Sequence, residues 1–278
     1  MVSQAQRNTT FRDLHGSGCF IMPNPWSVGS AKLMAGLGAK ALATTSAGHA
    51  FHIGKCDMGH VSREEALVHA SEIVSATSLP VNGDLENGYG DDPDRVSETI
   101  RLASEAGLSG CSIEDTNMAD PVGSYDFDLA VERVKAGAAA AKGLSNGFVF
   151  TARADGVMLG HYDMVEAIKR CQAFEEAGAD VVYLPIPPSI EDLKALCDAV
   201  NIPVNCLAAG SLLDHSHEEL AAAGARRISL GSSIASTANR AMHDAVKSML
   251  NDGNFTPLKS SISSWKLDAL MEAGMTKE

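Results

Sequence analysis

Short apolar runs rich in β-branched residues alternate with longer stretches whose apolar positions recur at helical spacing, which marks βα units around a parallel sheet. The strand-like runs fall at residues 19–24, 41–46, 81–86, 110–116, 148–155, 180–185, 203–208 and 226–231. Each precedes a helix-like stretch, at 27–36, 62–76, 93–105, 127–141, 163–176, 190–200, 217–223 and 233–250. Gly107, Gly178 and Gly224 each stop a helix just before a strand, where a left-handed cap is expected. Eight such units predict the α/β class and a closed (β/α)8 TIM barrel. An open doubly wound sheet would carry a G-x-G-x-x-G loop after its first strand, and none follows here. The barrel is assigned to 1–250 and a C-terminal extension to 251–278. There, residues 264–273 predict a helix whose Trp265, Leu267, Leu270 and Met271 need a surface, on this barrel or on a neighbouring subunit.

At 278 residues the chain can bury a large single core. Its 22 Lys and Arg against 35 Asp and Glu leave a net charge of −13 with no basic tract, which argues against a nucleic-acid partner. The same charge repels anions, so a small acid substrate requires local positive charge from a metal and an arginine. Cys19, Cys56, Cys111, Cys171, Cys197 and Cys206 show no zinc or disulfide spacing, which points to a reducing cytoplasm. Residues 1–12 lack the apolar stretch of a signal peptide, and no run reaches membrane-spanning length.

The segment 81–90 delivers Asp84 and Glu86 at alternate positions of a strand into a loop containing Gly88 and Gly90. Paired carboxylates of this kind suit a hard divalent cation. Active sites of parallel barrels form at the carboxyl ends of the strands. Those ends carry Asn24 and Trp26, the turn Thr45-Ser46-Ala47-Gly48, Asp84 and Glu86, Glu114 and Asp115, and Arg153 and Asp155, with Asn205 in the seventh strand. Singly, each has an ordinary structural use: Glu114 could simply pair with Arg153, Ser46 or Asp155 could cap a helix, and Asn205 could satisfy backbone groups. Together, clustered carboxylates raise one another's pKa unless a cation neutralises them.

The ordered set Asn24-Pro25-Trp26-Ser27, Thr44-Thr45-Ser46-Ala47-Gly48, 84–90, Ile113-Glu114-Asp115 and 151–155 resembles the isocitrate lyase and phosphoenolpyruvate mutase superfamily. The resemblance implies a barrel that binds Mg2+ or Mn2+, acts on a 2-oxo acid or its precursor through an enolate, and assembles as a homo-oligomer, commonly a tetramer with a swapped C-terminal helix. It implies Asp84 as the direct metal ligand, with Asp57, Glu86 and Glu114 holding the metal's waters. It further implies substrate contacts from Ser46, Ala47, Gly48 and Arg153. Trp26, Asn205 and Tyr183 complete the expected substrate-binding set, and Ser46, Arg153 and Glu114 the catalytic one.

The loop 116–126 departs from the lyase pattern, since it contains no Cys, Lys or His. Isocitrate-type cleavage needs an acid for the departing carbanion, so the expected order is an oxaloacetate-decarboxylase-like activity, then a carbon–carbon lyase with a substituted acid, then hydrolysis of a carbon–phosphorus bond. Protonation is assigned to water, Tyr183 or Tyr125. A barrel that binds a small acid without turnover is the alternative of another class. His49, His52, His60 and His161 are read as loop residues, and Arg226 and Arg227 as salt-bridging on the stable face of the barrel.

Overall fold

The computed structural model describes residues 2–119 and 122–275. Its main sheet has eight parallel strands: β1 (Phe20–Met22), β2 (Leu42–Ala43), β3 (Val81–Asp84), β4 (Gly110–Glu114), β5 (Val149–Arg153), β6 (Val181–Tyr183), β7 (Val204–Leu207) and β8 (Arg227–Ser229). Strands neighbour one another in chain order, and β8 pairs with β1, with Phe20 opposite Arg227. The Ala43 N–H donates to the Pro23 carbonyl at 3.1 Å and so joins β2 to the end of β1. The sheet is thereby a nearly closed barrel with helices between strands, the expected (β/α)8 architecture.

Apolar strand residues facing outward and the inner faces of the helices make the main core, including Phe148, Phe150, Phe174, Ile100, Leu108 and Cys111. A Cβ at Gly137 would lie 2.7 Å from the Phe150 ring, so the Phe127–Gly143 helix sits close on β5 because that position is glycine.

The strands are shorter than the sequence pattern predicts, and at β3 this changes the site. β3 ends at Asp84, Leu85 is buried, and Glu86 has a φ of 46°. The two-residue alternation stops before Glu86, so the expected shared strand face for Asp84 and Glu86 is corrected: a left-handed turn brings the second acid in.

A helix at Gln4–Gly16, absent from the sequence expectation, lies across the amino end of the barrel. Ser3 and Gln6 form its capping box. Gln4 Nε2 donates to the Ser104 carbonyl, Arg12 to the Gly147 and Phe148 carbonyls and to Asp180, and Phe11 is wholly buried.

At the other terminus the Ser264–Gly274 helix packs on the Val28–Gly36 helix of the same chain. Backbone meets backbone there: a Cβ at Gly36 would strike Leu270 O, and one at Gly274 would strike Lys32 O. The preceding Ser233–Asp252 helix buries only Ala235. Its Met242, Val246 and Leu250 form an exposed stripe at intervals of four. Among the described residues, no helix is long and apolar enough to cross a membrane.

Candidate active site

Asp84 is the hub of the rim. Its Oδ1 accepts from Arg153 Nη1 at 2.7 Å, and its Oδ2 accepts from the Ser46 backbone N–H at 2.9 Å and the Ser46 hydroxyl at 3.0 Å. Its own N–H donates to Thr44 Oγ1 at 2.8 Å, which fixes the end of β3 against the segment after β2. Arg153 is held in turn by Asp155, whose two oxygens accept from Nε at 3.1 Å and Nη2 at 2.6 Å. Glu114 Oε2 lies 3.2 Å from Nη2. One guanidinium therefore faces three carboxylates, and Asp155 is fully buried.

Asp155 is fixed by a further layer. Asp115 Oδ1 accepts from the Asp155 N–H at 2.8 Å, while Asp115 Oδ2 accepts from Tyr162 OH and Arg170 Nη1, both at 2.8 Å. Sequence position placed Asp155 at the rim, but its grip on Arg153 became visible only with the fold.

Asp57 and Glu86 are further acids close enough to Asp84 to feel its charge. Glu86 is 3 % exposed, and burial, followed by the charges of Asp84 and Asp57, pushes its pKa up to about 7. Burial also raises Asp57, whose Oδ1 is buried without a hydrogen-bond partner. Glu114 is raised well above the usual carboxyl range by burial, against the opposing pull of Arg153. Met58, Glu86 and Tyr89 all have positive φ, at 67°, 46° and 63°. Such backbone outliers concentrate where surrounding structure imposes them, often at functional sites. Tyr89 borders the small cavity shared by Ser46, Asp84 and Glu86, and the sequence reading missed it. A non-glycine residue in the glycine-rich loop was the available signal.

Other expected contacts are distributed differently. Thr45 caps the Ser46–His52 helix, and its Oγ1 accepts from the Gly48 N–H at 3.2 Å, so that amide serves the helix rather than a ligand. Ala47 lies in the first turn, where backbone N–H groups have no intrahelical acceptor. Trp26 hydrogen-bonds through its backbone to His69, which borders the cavity of Ser46, Asp84 and Glu86. The Ser27–Ser30 capping box starts the Val28–Gly36 helix just after it, and Trp26 also lines an apolar flank groove with Leu33, Met34 and Met271. Asn24 ties backbone together, donating to Thr44 O and accepting from the N–H groups of Leu230 and Gly231. Tyr183 and Asn205 border an interior cavity of about 30 Å3 directly under Asp84 and Arg153. The Arg153 guanidinium stands 5.0 Å from the Tyr183 ring centroid.

The loop 116–126 contains a short hairpin, Thr116–Asn117 with Gly123–Ser124. Tyr125 is committed to holding it: its hydroxyl donates to Asp91 at 2.6 Å and accepts from Asn87 at 2.9 Å, with Arg133 over the ring. That makes it a latch rather than a free proton source. His161 Nδ1 lies 3.0 Å from Ser124 Oγ and helps anchor the same hairpin. His49 is not a loop residue; it is buried in the Ser46–His52 helix and stacks on His69 with centroids 3.8 Å apart.

A family model described as phosphoenolpyruvate phosphomutase matches residues 11–250. The oxaloacetate decarboxylase of Paraburkholderia xenovorans (strain LB400) is 36 % identical over 189 residues, covering 65 % of this chain and 60 % of that protein. The 2-methylisocitrate lyase of Shewanella oneidensis is 28 % identical over 78 % of this chain and 76 % of its own length. Among solved structures, a candidate lyase/mutase of Burkholderia cenocepacia J2315 is 42 % identical, with a TM-score of 0.91 and 95 % of both chains covered. A 2,3-dimethylmalate lyase superposes with a TM-score of 0.81 at 25 % identity, over 97 % of this chain and 95 % of that one. The family match over most of the barrel and the likeness to these structures lead to one assignment: the chain belongs to the phosphoenolpyruvate mutase/isocitrate lyase superfamily.

Proposed function

We propose that the protein is a divalent-metal-dependent carbon–carbon lyase that decarboxylates oxaloacetate or a similar small 2-oxo acid. The observation that carries the reading is the meeting of Ser46, Arg153 and Asp84 near the further acids Asp57 and Glu86. A lyase class is supported by the names of relatives, an oxaloacetate decarboxylase and a 2-methylisocitrate lyase.

The donor set fits Mg2+ or Mn2+. It offers oxygen alone, Asp57 Oδ1 lacks a partner, and the surrounding acids are short of positive charge. Among the described residues no three His, Cys, Asp or Glu side chains converge as direct ligands. Asp84 would hold such an ion directly, and Asp57, Glu86 and Glu114 would hold its waters. Such an ion, when bound, supplies charge that stabilises the developing enolate oxygen.

The chain's own groups do the rest. Arg153 has its second Nη1 hydrogen left for the substrate carboxylate, while Asp155 and Glu114 hold the rest of the guanidinium, and the Ser46 hydroxyl would turn from Asp84 to an oxygen of the oxo acid once a cation occupies Asp84. In decarboxylation the bond to the departing carboxylate breaks, its electron pair enters the enolate, and a proton is then added to that carbon. Water or Tyr183 supplies it; burial keeps the Tyr183 phenol protonated. The loop's lack of Cys, Lys and His favours this reaction over cleavage of an isocitrate-type substrate, which is the second reading.

The assay is pyruvate formation from oxaloacetate with Mg2+ or Mn2+, against the Asp84→Ala protein as control for metal-catalysed background. Turnover confined to 2-hydroxy acid cleavage selects the second reading. Binding without turnover of any 2-oxo or 2-hydroxy acid selects the non-catalytic barrel.

The same reading includes a homo-oligomer. The stripe Met242, Val246 and Leu250 and the apolar flank groove each need cover, and a second copy of the chain offers both. Light scattering on the purified protein tests it, and a monomer at micromolar concentration removes it.

A further inference from the structure

Beneath the rim the barrel holds a second arginine. Arg227 does not join salt bridges on the stable face, as its sequence position suggested; its side chain points inward and the residue is 1 % exposed. Its Nε donates to Asn205 Oδ1 at 2.7 Å, Nη2 donates to Thr151 Oγ1 at 3.2 Å, and Nη1 lies 3.3 Å from His15 Nε2. His15 Nδ1 is 2.7 Å from the Phe11 carbonyl, so Nδ1 carries the proton and Nε2 accepts from Arg227. All three partners are neutral.

Burial lowers the Arg227 pKa to about 9, which still leaves it cationic at neutral pH. A buried charge without a counter-charge lowers stability, and an apolar side chain of similar volume would often serve the core better. Its surroundings suggest what the charge does. Arg227, Asn205 and Tyr183 line the same interior cavity of about 30 Å3 as Asp84 and Arg153. The chain around them carries a net charge of −13, which disfavours anions.

We propose that Arg227 is a positioning and specificity-determining residue, whose unmatched charge, relayed through Asn205, strengthens binding of an acid substrate at the rim in proportion to the substrate's negative charge. The proposal rests on the reading of the rim as a 2-oxo acid site. It differs from the role of Arg153, because Arg227 does not touch the ligand and acts through the field and through the orientation of Asn205.

Calorimetric titration with Mn2+ present tests this with oxalate (two negative charges), pyruvate (one) and pyruvamide (none). For Arg227→Met, affinity is expected to fall about tenfold per ligand charge, the size of one unit charge acting over roughly 10 Å of protein interior. Pyruvamide binding stays unchanged, the melting temperature is level or higher, and Arg227→Lys retains most of the affinity. Arg227→Gln, which removes the charge but keeps an N–H donor for Asn205 Oδ1, is expected to produce the same graded loss and keeps the test available if Arg227→Met fails to fold. Equal losses for all three ligands, or none, overturn the proposal in favour of a purely structural arginine. Wild-type protein that binds none of the three overturns the 2-oxo acid reading itself, and this proposal with it.

Discussion

The Arg153 guanidinium and the Asp84 carboxylate approach to 2.7 Å from β5 and β3, two strands separated by β4. Because Asp155 holds the other side of the guanidinium and Ser46 holds the other oxygen of Asp84, neither partner is free to turn. Asp84, Glu114 and Asp155 together bring three carboxyl groups to one guanidinium, and a cation beside them would favour the ionised form of all three.

Replacing Asp84 removes the proposed metal ligand and the acceptor of Ser46. Asp84→Ala is expected to reduce kcat by at least about a thousandfold, a loss of roughly 4 kcal/mol in transition-state stabilisation. Circular dichroism should show unchanged helix content. Normal turnover by this variant eliminates the metal assignment.

Asp155 acts through Arg153. Asp155→Ala leaves a buried guanidinium short of a partner and is expected to destabilise the fold by about 3 kcal/mol. It should also raise KM more than it lowers kcat. Urea denaturation and steady-state kinetics on the same preparation read the two effects, and an unchanged KM means that Arg153 does not bind the substrate carboxylate.

A divalent cation that binds the folded rim should stabilise it. At a hundredfold excess over Kd the gain is about 2.7 kcal/mol, removable with a chelator. The gain should vanish in Asp84→Asn and shrink in Asp57→Asn. A melting temperature indifferent to Mg2+ and Mn2+ contradicts the carboxylate assignments.

His69 gives the pH dependence. Burial, with a smaller contribution from the stacked His49, moves its pKa down from 6.5 to about 4. The folded chain thus binds fewer protons there than the unfolded chain. The stabilising effect is complete above pH 6.5 and is lost as pH falls toward 4, by on the order of 3 kcal/mol. His69→Phe should flatten the stability profile in that window, and a profile of unaltered slope excludes this histidine as its source.

The barrel was legible because the same βα unit recurs eight times, so local errors at strand ends did not change the architecture. The carboxylates and Arg153 were legible by residue type at strand ends. What the sequence concealed was direction. A left-handed turn brings Glu86 to the pocket, where strand alternation was expected to place it. Trp26 also lines an apolar flank groove, which its place after the first strand did not reveal. Arg227 looked like a surface residue at a strand start, yet inward pleating buries it. The Gln4–Gly16 helix is largely polar and buries only Asn8, Phe11 and His15, too sparse a stripe to announce itself.

That helix has a consequence at the far end of the molecule. It packs Phe11 on Phe20 and seats His15 against Arg227, which keeps bulk water away from that arginine, and it is fastened to the body by Gln4, Asn8 and Arg12. Loosening this stopper, by trimming the first residues or cutting the Arg12 tether, would let water reach Arg227 and the small cavity beneath the rim. An alteration made at the sealed base would then be felt by a ligand that never comes near it.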